Sequence, residues 1–340
     1  MKLKRRKFIK SSTLFTVTGF GLTTLSHPPS TPQIIRPKRL VKGDTIALTA
    51  PAGAIFNTKH IEHIENRLHK LGFKTIKGKT LFKHEGYLAG NDQFRASELH
   101  GFFKDKTVKA IITMRGGWGC ARLLDLLDYK LIKNNPKVLM GYSDITALLV
   151  AITEKTGLIT YHGPMGYSSW KSFSASQVLK VLIEGNPFRM NNPNDYKKDL
   201  ATLSKGYAIG KLIGGNLTVI TSLIGTKYEP NWEDKILFLE ETHEEPYRID
   251  RMLYQLKLAG VFNQINGCVL GSFNKCEPEE PEKSFNLNEV LNQHFKNKNF
   301  PVYKGATFGH LIPKFTLPIG IKVKIDADNH FIELLERSVN

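Results

Sequence analysis

Short apolar runs alternate with amphipathic segments along most of this chain, and that alternation restricts its possible folds more than any other feature. Residues 44–50 form a β-rich run that ends in a Pro-Ala-Gly loop. Ile61, Ile64 and Leu68 then recur at spacings of three and four residues, which predicts a helix ending at Gly72. Because strands that alternate with helices form parallel sheets covered on both faces, the sequence predicts an α/β fold.

The alternation continues, pauses once and restarts, which predicts two α/β domains. The first domain is predicted at 34–190 and the second at 206–340, joined by a polar connection at 191–205. The first contains the further predicted strands 73–76, 108–114 and 138–140 and helices 95–103, 121–127 and 145–152. The second contains helices 217–224 and 249–258, strands 236–240 and 269–273, and a strand-rich tail at 321–335.

The first residues of the chain resemble an address for export. Arg5 and Arg6 lie in a basic head, which precedes an uncharged segment at 11–26 that is too short to span a bilayer comfortably. This layout resembles a twin-arginine signal and predicts a periplasmic protein that meets the membrane only through residues 1–33. A disordered or helical basic N-terminus is the alternative. Because no small-x-small cleavage site precedes His27, retention as an uncleaved anchor also stays open.

Composition and charge narrow the function classes. Hydrophobic residues make up 41% and charged residues 23%, as in globular proteins, and the formal net charge is +17. The lysines are scattered, with no arginine-rich arm, zinc-finger spacing or RNP-like motif, so we expect no nucleic-acid partner. Cys120, Cys268 and Cys276 form no metal-ligand pattern. Cys120 fits a core position better than a nucleophile, and a bridge between the other two stays open.

Ser143 lies at a turn between a predicted strand and a predicted helix. Residues 138–149 read VLMGYSDITALL, an arrangement that resembles a nucleophile elbow with its hydroxyl at the positive end of the helix. The match to G-x-S-x-G is partial because Ile145 replaces the second glycine. From this motif alone, a helix cap formed by Ser143 or Asp144 explains the sequence equally well.

Two glycine turns also precede predicted helices. The turn Arg115-Gly-Gly-Trp-Gly119 could bring backbone N–H groups to an oxyanion or a phosphate. It lacks the Lys-Ser/Thr ending of a P-loop and the spacing of a dinucleotide fingerprint. The turn Gly214-Gly-Asn216 is explained by Asn216 as a helix N-cap.

Carboxylates and histidines occur near the ends of two predicted strands in the second half. Glu240 and Glu241 end an apolar strand, where open α/β sheets place functional groups, although a solvated strand end is the alternative. His310 follows a short strand and a glycine. His243 competes with it for a catalytic role, but the acidic residues beside His243 indicate a solvated loop.

Taken in order, these and several further motifs resemble the LD-carboxypeptidase family of serine peptidases, which also contains the microcin C self-immunity peptidases. The resemblance extends from about residue 36 to 336. It rests on Lys42-Gly-Asp-Thr-Ile46, Tyr87-Leu-Ala-Gly90, Met114-Arg-Gly-Gly-Trp-Gly119, Gly141-Tyr-Ser-Asp-Ile-Thr-Ala-Leu148, His162-Gly-Pro164, Gly214-Gly-Asn-Leu217, Leu237-Phe-Leu-Glu-Glu241, Tyr247-Arg-Ile-Asp-Arg251 and Gly309-His310.

The resemblance implies a fold and a catalytic triad. The implied fold is an N-terminal parallel-sheet domain of flavodoxin or class I glutamine-amidotransferase type, followed by a C-terminal α/β domain of swivelling type. The implied triad is Ser143, Glu240 and His310, split between the domains. Glu241 is the fallback for the acid, because the family usually has Glu-Asp where this chain has Glu-Glu.

The resemblance also implies an oxyanion hole and an assembly. The oxyanion donors fall on the backbone N–H of Asp144 and of a glycine in the Gly116-Gly117 turn. No metal or organic cofactor is implied. Members of the family are commonly dimers, so a homodimer is expected.

The implied substrate is a muropeptide stem, cleaved before its terminal D-alanine. Recognition of a free C-terminal carboxylate needs a cation or a backbone nest, and Arg115 and Arg248 are the candidates. Trp118 occupies a position where the family often has tyrosine. One alternative is an aminoacyl-nucleotide substrate of the microcin C kind, with Trp170 stacking on the base; another is a non-catalytic peptidoglycan-binding module.

Overall fold

The structure is a computed structural model, and it describes residues 33–340. The export signal predicted around Arg5 and Arg6 lies outside the described residues. Within residues 33–340, none of the helices is both long enough and apolar enough to cross a membrane.

Fourteen strands and eight α-helices form within residues 33–340. The strands are β1 (Thr45–Thr49), β2 (Lys74–Lys77), β3 (Val108–Thr113), β4 (Val138–Gly141), β5 (Thr160–His162), β6 (Arg189–Met190), β7 (Ala201–Ser204), β8 (Tyr207–Asn216), β9 (Lys235–Thr242), β10 (Gly267–Asn274), β11 (Val302–Lys304), β12 (Leu317–Ile319), β13 (Lys322–Asp326) and β14 (Phe331–Leu334). The helices are α1 (Lys59–Lys70), α2 (Asp92–Lys104), α3 (Tyr129–Asn134), α4 (Thr146–Thr156), α5 (Ser172–Leu179), α6 (Leu217–Leu223), α7 (Pro246–Leu258) and α8 (Leu287–Phe295).

The strands form two sheets, each with a parallel centre. The first sheet has the order β12-β5-β4-β3-β1-β2, and β12 is its antiparallel edge strand. The second has the order β6-β14-β13-β8-β9-β10-β11-β7, in which β8 to β11 run parallel. The predicted two-domain α/β fold with a parallel sheet is therefore confirmed.

Local sequence explains most of the element boundaries. Ile61, Ile64 and Leu68 are buried on one face of α1, as their spacing predicts. Asn216 caps α6 by accepting a hydrogen bond from the Val219 N–H. The helix α4 ends at Gly157, which adopts a left-handed conformation that suits glycine.

Two expectations need correction. The helix predicted at 121–127 is only a short 3₁₀ turn, Ala121–Leu123, because Asp128 caps the separate helix α3 a few residues later. The predicted connection 191–205 is partly sheet, since β7 pairs with β11. The chain also crosses between the sheets, because β6 pairs with β14 and β12 pairs with β5.

Candidate active site

Ser143 lies on a strained turn between β4 and α4. Its φ is +63°, a left-handed value that is uncommon for a residue other than glycine. A side chain at Gly141 would collide with Thr113 and Ile145, so glycine is required before the turn. Ile145, which replaces the second glycine of the motif, is fully buried. The turn therefore has the strain expected of a nucleophile elbow.

The predicted glycine turn after β3 packs directly against Ser143. A Cβ added to Gly116 would lie 2.8 Å from Ser143 Cβ, 2.9 Å from its Oγ and 3.1 Å from the Asp144 backbone nitrogen. Gly117 has a φ of +107°, which only glycine adopts readily. Within the described part of the chain, the N–H groups of Gly117 and Asp144 donate no hydrogen bonds. Both N–H groups can therefore donate a hydrogen bond to a ligand.

The Asp144 side chain links the two turns instead of facing a ligand. Its Oδ2 accepts a hydrogen bond of 2.8 Å from the Cys120 N–H. Burial raises the pKa of Asp144. Cys120 is a fully buried core residue, and its burial raises the pKa of the thiol. Cys268 and Cys276 are buried free thiols.

Glu240 and His310 come together at the end of the second sheet. His310 Nδ1 lies 2.6 Å from Glu240 Oε2, and Glu240 is fully buried. Burial alone would raise the pKa of Glu240, but the hydrogen bond from His310 and the positive charge nearby outweigh it and hold that pKa below its usual value. Gly309 permits this contact, because a Cβ there would lie 2.6 Å from Glu240 Cβ and Oε2.

Glu241 and His243 point elsewhere. Glu241 accepts hydrogen bonds from the Asn216 side chain and from the Thr218 N–H and hydroxyl, so it holds the start of α6. Burial raises the pKa of Glu241. His243 is exposed and its Nδ1 lies 2.9 Å from the hydroxyl of Thr242. Of the two adjacent glutamates, Glu240 therefore has the contact expected of a triad acid.

Aromatic rings enclose the glutamate–histidine pair. Tyr142 meets His310 edge to face at 4.9 Å between ring centroids. His162 is fully buried against Phe238 and Phe308, and neither of its ring nitrogens has a hydrogen-bond partner within the described residues. Burial lowers the pKa of His162 to about 4, so its ring is neutral at pH 7.

Lys314 belongs to this environment and was missed by the sequence analysis. It is 4% exposed, and its Nζ lies 4.2 Å from the centroid of the Tyr142 ring. Burial lowers the pKa of Lys314 to about 8, against the opposing attraction of Glu240. No local pattern distinguishes this lysine, which is one of 48 lysines and arginines and stands between Pro313 and Phe315.

The predicted substrate-binding residues separate into two groups. Arg115 and Trp118 belong to the glycine turn: Arg115 donates to the Ala54 carbonyl at 3.0 Å, and Trp118 is 51% exposed. Arg248 is exposed on α7, where its contacts are with Tyr247 and Glu244.

Trp170, the proposed base-stacking residue, is 5% exposed and donates to the Met165 carbonyl. It is therefore a core residue. Within residues 33–340, no cluster of three or more histidine, cysteine or acidic side chains could hold a metal ion.

This fold and site define a two-domain α/β protein of the hydrolase class. Comparison with known families identifies it further: the model of the LD-carboxypeptidase N-terminal domain matches residues 46–163, and that of the C-terminal domain matches residues 209–325. The chain belongs to the LD-carboxypeptidase family.

Similar proteins have two kinds of name. The "Probable murein peptide carboxypeptidase" of Bacillus subtilis (strain 168) is 38% identical over 300 residues, which cover 86% of this chain and 92% of the relative. The solved structure of MccF in complex with glutamyl sulfamoyl guanosine has a TM-score of 0.82 at 30% identity and covers 90% of this chain and 99% of MccF. The solved structure of the muramoyltetrapeptide carboxypeptidase of Oxalobacter formigenes has a TM-score of 0.71 at 28% identity and covers 85% of this chain and 97% of that protein.

Proposed function

We propose that this chain is a serine LD-carboxypeptidase that removes the terminal D-alanine from muropeptide tetrapeptide stems. The proposal rests on one observation above the others: the buried Glu240 lies 2.6 Å from His310 Nδ1, in a chain whose family motif places a strained serine at position 143. The names of the Bacillus and Oxalobacter relatives support the substrate class.

The chemistry follows from the hydrogen bonding of His310. A carboxylate at Nδ1 keeps the proton on that nitrogen and leaves Nε2 to accept the Ser143 proton as the hydroxyl attacks the scissile carbonyl. The imidazolium then returns that proton to the departing amine of D-alanine. Water, activated by the same histidine, hydrolyses the acyl-enzyme. Because the pKa of Glu240 is held low, its negative charge persists through the cycle and stabilises the imidazolium.

The oxyanion of the tetrahedral intermediate would be stabilised by two backbone donors. The N–H groups of Gly117 and Asp144 are the candidates, since neither donates a hydrogen bond within the described residues and the turn at Gly116 packs against Ser143. Losing one such donor typically costs about 100-fold or more in rate.

Mass spectrometry of a purified muropeptide tetrapeptide incubated with the full chain tests the proposal. We expect the wild-type protein to release one D-alanine, and Ser143→Ala to lose at least about 10⁴-fold in rate, as triad removal does elsewhere. Ser222→Ala, which removes an exposed hydroxyl on α6, is the matched control and should keep full activity. No release by either the wild type or the control would reject the proposal, and binding without release would favour a non-catalytic module.

A second candidate is hydrolysis of an aminoacyl nucleotide. It is favoured by the higher TM-score of MccF, 0.82, than of the muramoyltetrapeptide carboxypeptidase, 0.71. The burial of Trp170 speaks against base stacking on that residue. Comparing kcat/KM for the tetrapeptide and for an aminoacyl nucleotide, with the same protein preparation, decides between the two.

We also propose that the enzyme acts in the periplasm as a homodimer. The location rests on the twin-arginine-like start of the sequence, and fusion of residues 1–35 to a reporter tests it. Retention of the reporter in the cytoplasm would contradict export. Light scattering of the purified protein measures the oligomeric state.

A further inference from the structure

Lys314 places an ammonium group in the active-site environment, where the charge of Glu240 acts on it without forming a salt bridge. The residue is 4% exposed, yet among residues 33–340 no carboxylate oxygen lies within 4.0 Å of its Nζ. Burying a charge without a salt bridge costs free energy, so a lysine buried here is a candidate for a binding or catalytic role.

The position of the ammonium group points to a use at the serine. It lies 4.2 Å from the ring centroid of Tyr142, the residue immediately before Ser143, and the same ring contacts His310. Both ring nitrogens of His162 and Glu240 Oε1 are fully enclosed and lack a hydrogen-bond partner within the described residues. Lys314 Nζ is not among these enclosed atoms, so the tip of the lysine side chain keeps contact with solvent. The charge is thus held by a cation–π contact and stays accessible to a ligand.

The two cations predicted from sequence are less suited to the same use. Arg248 is exposed and interacts with neighbours on or beside its own helix. Arg115 donates to the Ala54 carbonyl and supports the loop after β1. Lys314, in contrast, is buried near the Glu240–His310 pair, and its ammonium group forms no salt bridge or hydrogen bond within the described residues.

We propose that Lys314 binds the free C-terminal carboxylate of the peptide substrate and so restricts cleavage to the terminal residue. This inference rests on the proposed carboxypeptidase function and names the group that would select its substrate. In a terminal D-alanine, only the amide nitrogen and the α-carbon separate the carboxylate from the scissile carbonyl carbon. A cation that recognises it must therefore lie near the nucleophile, and Lys314 contacts the ring of Tyr142, the residue immediately before Ser143. An ion pair with a hydrogen bond at this enclosed position would strongly favour a free acid over a blocked end.

Binding measurements test the proposal without relying on turnover. In a Ser143→Ala background, calorimetry gives Kd for a muropeptide tetrapeptide and for the same peptide with a C-terminal amide. With Lys314 present, we expect the free acid to bind at least about tenfold more tightly than the amide, which is the usual effect of one charge-assisted hydrogen bond. In Lys314→Met, we expect the two peptides to bind within about threefold of each other.

Three further proteins make the test decisive. Lys314→Arg keeps the charge and should retain most of the preference for the free acid. Lys314→Gln repeats the charge removal with a polar side chain of similar length. Arg248→Met removes the rival cation and should leave the preference unchanged.

The outcomes separate this inference from the proposed function. If Lys314 only balances the charge of Glu240, Lys314→Met will lower the affinity for both peptides equally, and the proposal is wrong. Loss of the preference in Arg248→Met, or no tetrapeptide binding at all, would also overturn it. A preference that depends on Lys314 in a protein that, with Ser143 intact, releases no D-alanine would reject the proposed reaction but keep the carboxylate site.

Discussion

At the scale of single residues, neighbours in sequence have opposite environments in this site. Glu240 and Glu241 are consecutive in β9, and successive side chains of a strand point to opposite faces. One carboxylate therefore meets His310, while the other holds the start of α6. The sequence could predict that only one of the pair faces the histidine, but the choice between them depended on which face of β9 meets the segment that contains His310.

The lowered pKa of Lys314 predicts how the stability of the protein depends on pH. Its pKa is about 8 in the folded protein, below the ordinary value of 10.5, so the unfolded chain binds more protons between these two pH values. The contribution of this lysine to the free energy of unfolding therefore rises with pH across that window. The shift corresponds to a penalty of about 3 kcal/mol at pH 7. The charged and titratable groups that act on it or contact it are Tyr142, His162 and Glu240.

We expect Lys314→Met to be more stable than the wild type at pH 7, by up to about 3 kcal/mol, and the difference to shrink between pH 8 and pH 10. Urea unfolding at a series of pH values measures this difference. Lys137→Met is the matched control: the pKa of Lys137 is also lowered to about 8, but its ammonium donates to the carbonyls of Asp105 and Val108. Its removal leaves both carbonyls without that donor, so Lys137→Met should be stabilised less at pH 7 than Lys314→Met. A stability difference at Lys314 that is independent of pH would contradict the argument.

At the scale of elements, local patterns predicted what local interactions determine. The helix α1 and the strand–turn–helix around Ser143 follow from spacing and glycine placement, and both are present. The strand β7 depends on a distant partner, β11, which no local pattern reveals. The burial of Lys314 is also non-local, because it arises where the segment before β12 packs against Tyr142.

Arg95 connects three of the loops that surround the site. It is fully buried on α2 and donates to the carbonyls of Pro51, Gly90 and Gly119, which follow β1, precede α2 and end the glycine turn. It also pairs with Asp92. A planar guanidinium can serve several carbonyls at once, which an ammonium group at the same place cannot. Arg95 therefore stabilises the glycine turn beside Ser143 through the Gly119 carbonyl, although it forms no hydrogen bond with the serine.

Replacing Arg95 by lysine tests this bracing. We expect Arg95→Lys to lower the free energy of unfolding by about 2–4 kcal/mol, because buried carbonyls lose their donors. We also expect kcat for D-alanine release to fall with it, since the oxyanion donors are less well held. Arg122→Lys is the control, because Arg122 pairs with the same Asp92 from a side chain that is 45% exposed, and it should cost less than about 0.5 kcal/mol. Equal losses in the two variants, in urea unfolding, would show that Asp92 and not the loop carbonyls is the important partner.

At the scale of the whole molecule, the chain ties its two sheets together more than once. Besides β6 and β12, residues at the end of the described chain return to the first domain: the buried Tyr161 hydroxyl donates to the Ser338 carbonyl, and the Ser338 hydroxyl donates to Val181. Arg36 pairs with Glu336 at 2.7 Å. Because the proposed triad draws Ser143 from one sheet and Glu240 from the other, these ties also stabilise the relative positions of its members.

Such ties predict that residues 33–340 unfold in one cooperative transition. Trp170 reports on the first domain and Trp232 on the second, so two proteins that each keep only one of the chain's three tryptophans give separate probes. In each protein we expect tryptophan fluorescence and far-ultraviolet circular dichroism to change with urea at the same midpoint, as two-state unfolding requires. Adding Tyr161→Phe should lower the free energy of unfolding by about 1 kcal/mol in both proteins, because one hydrogen bond between the domains is lost for both probes together. A Tyr161→Phe effect seen by Trp170 alone, or a fluorescence midpoint that departs from the dichroism midpoint, would mean that the two sheets unfold independently and that the ties are too weak to hold the triad.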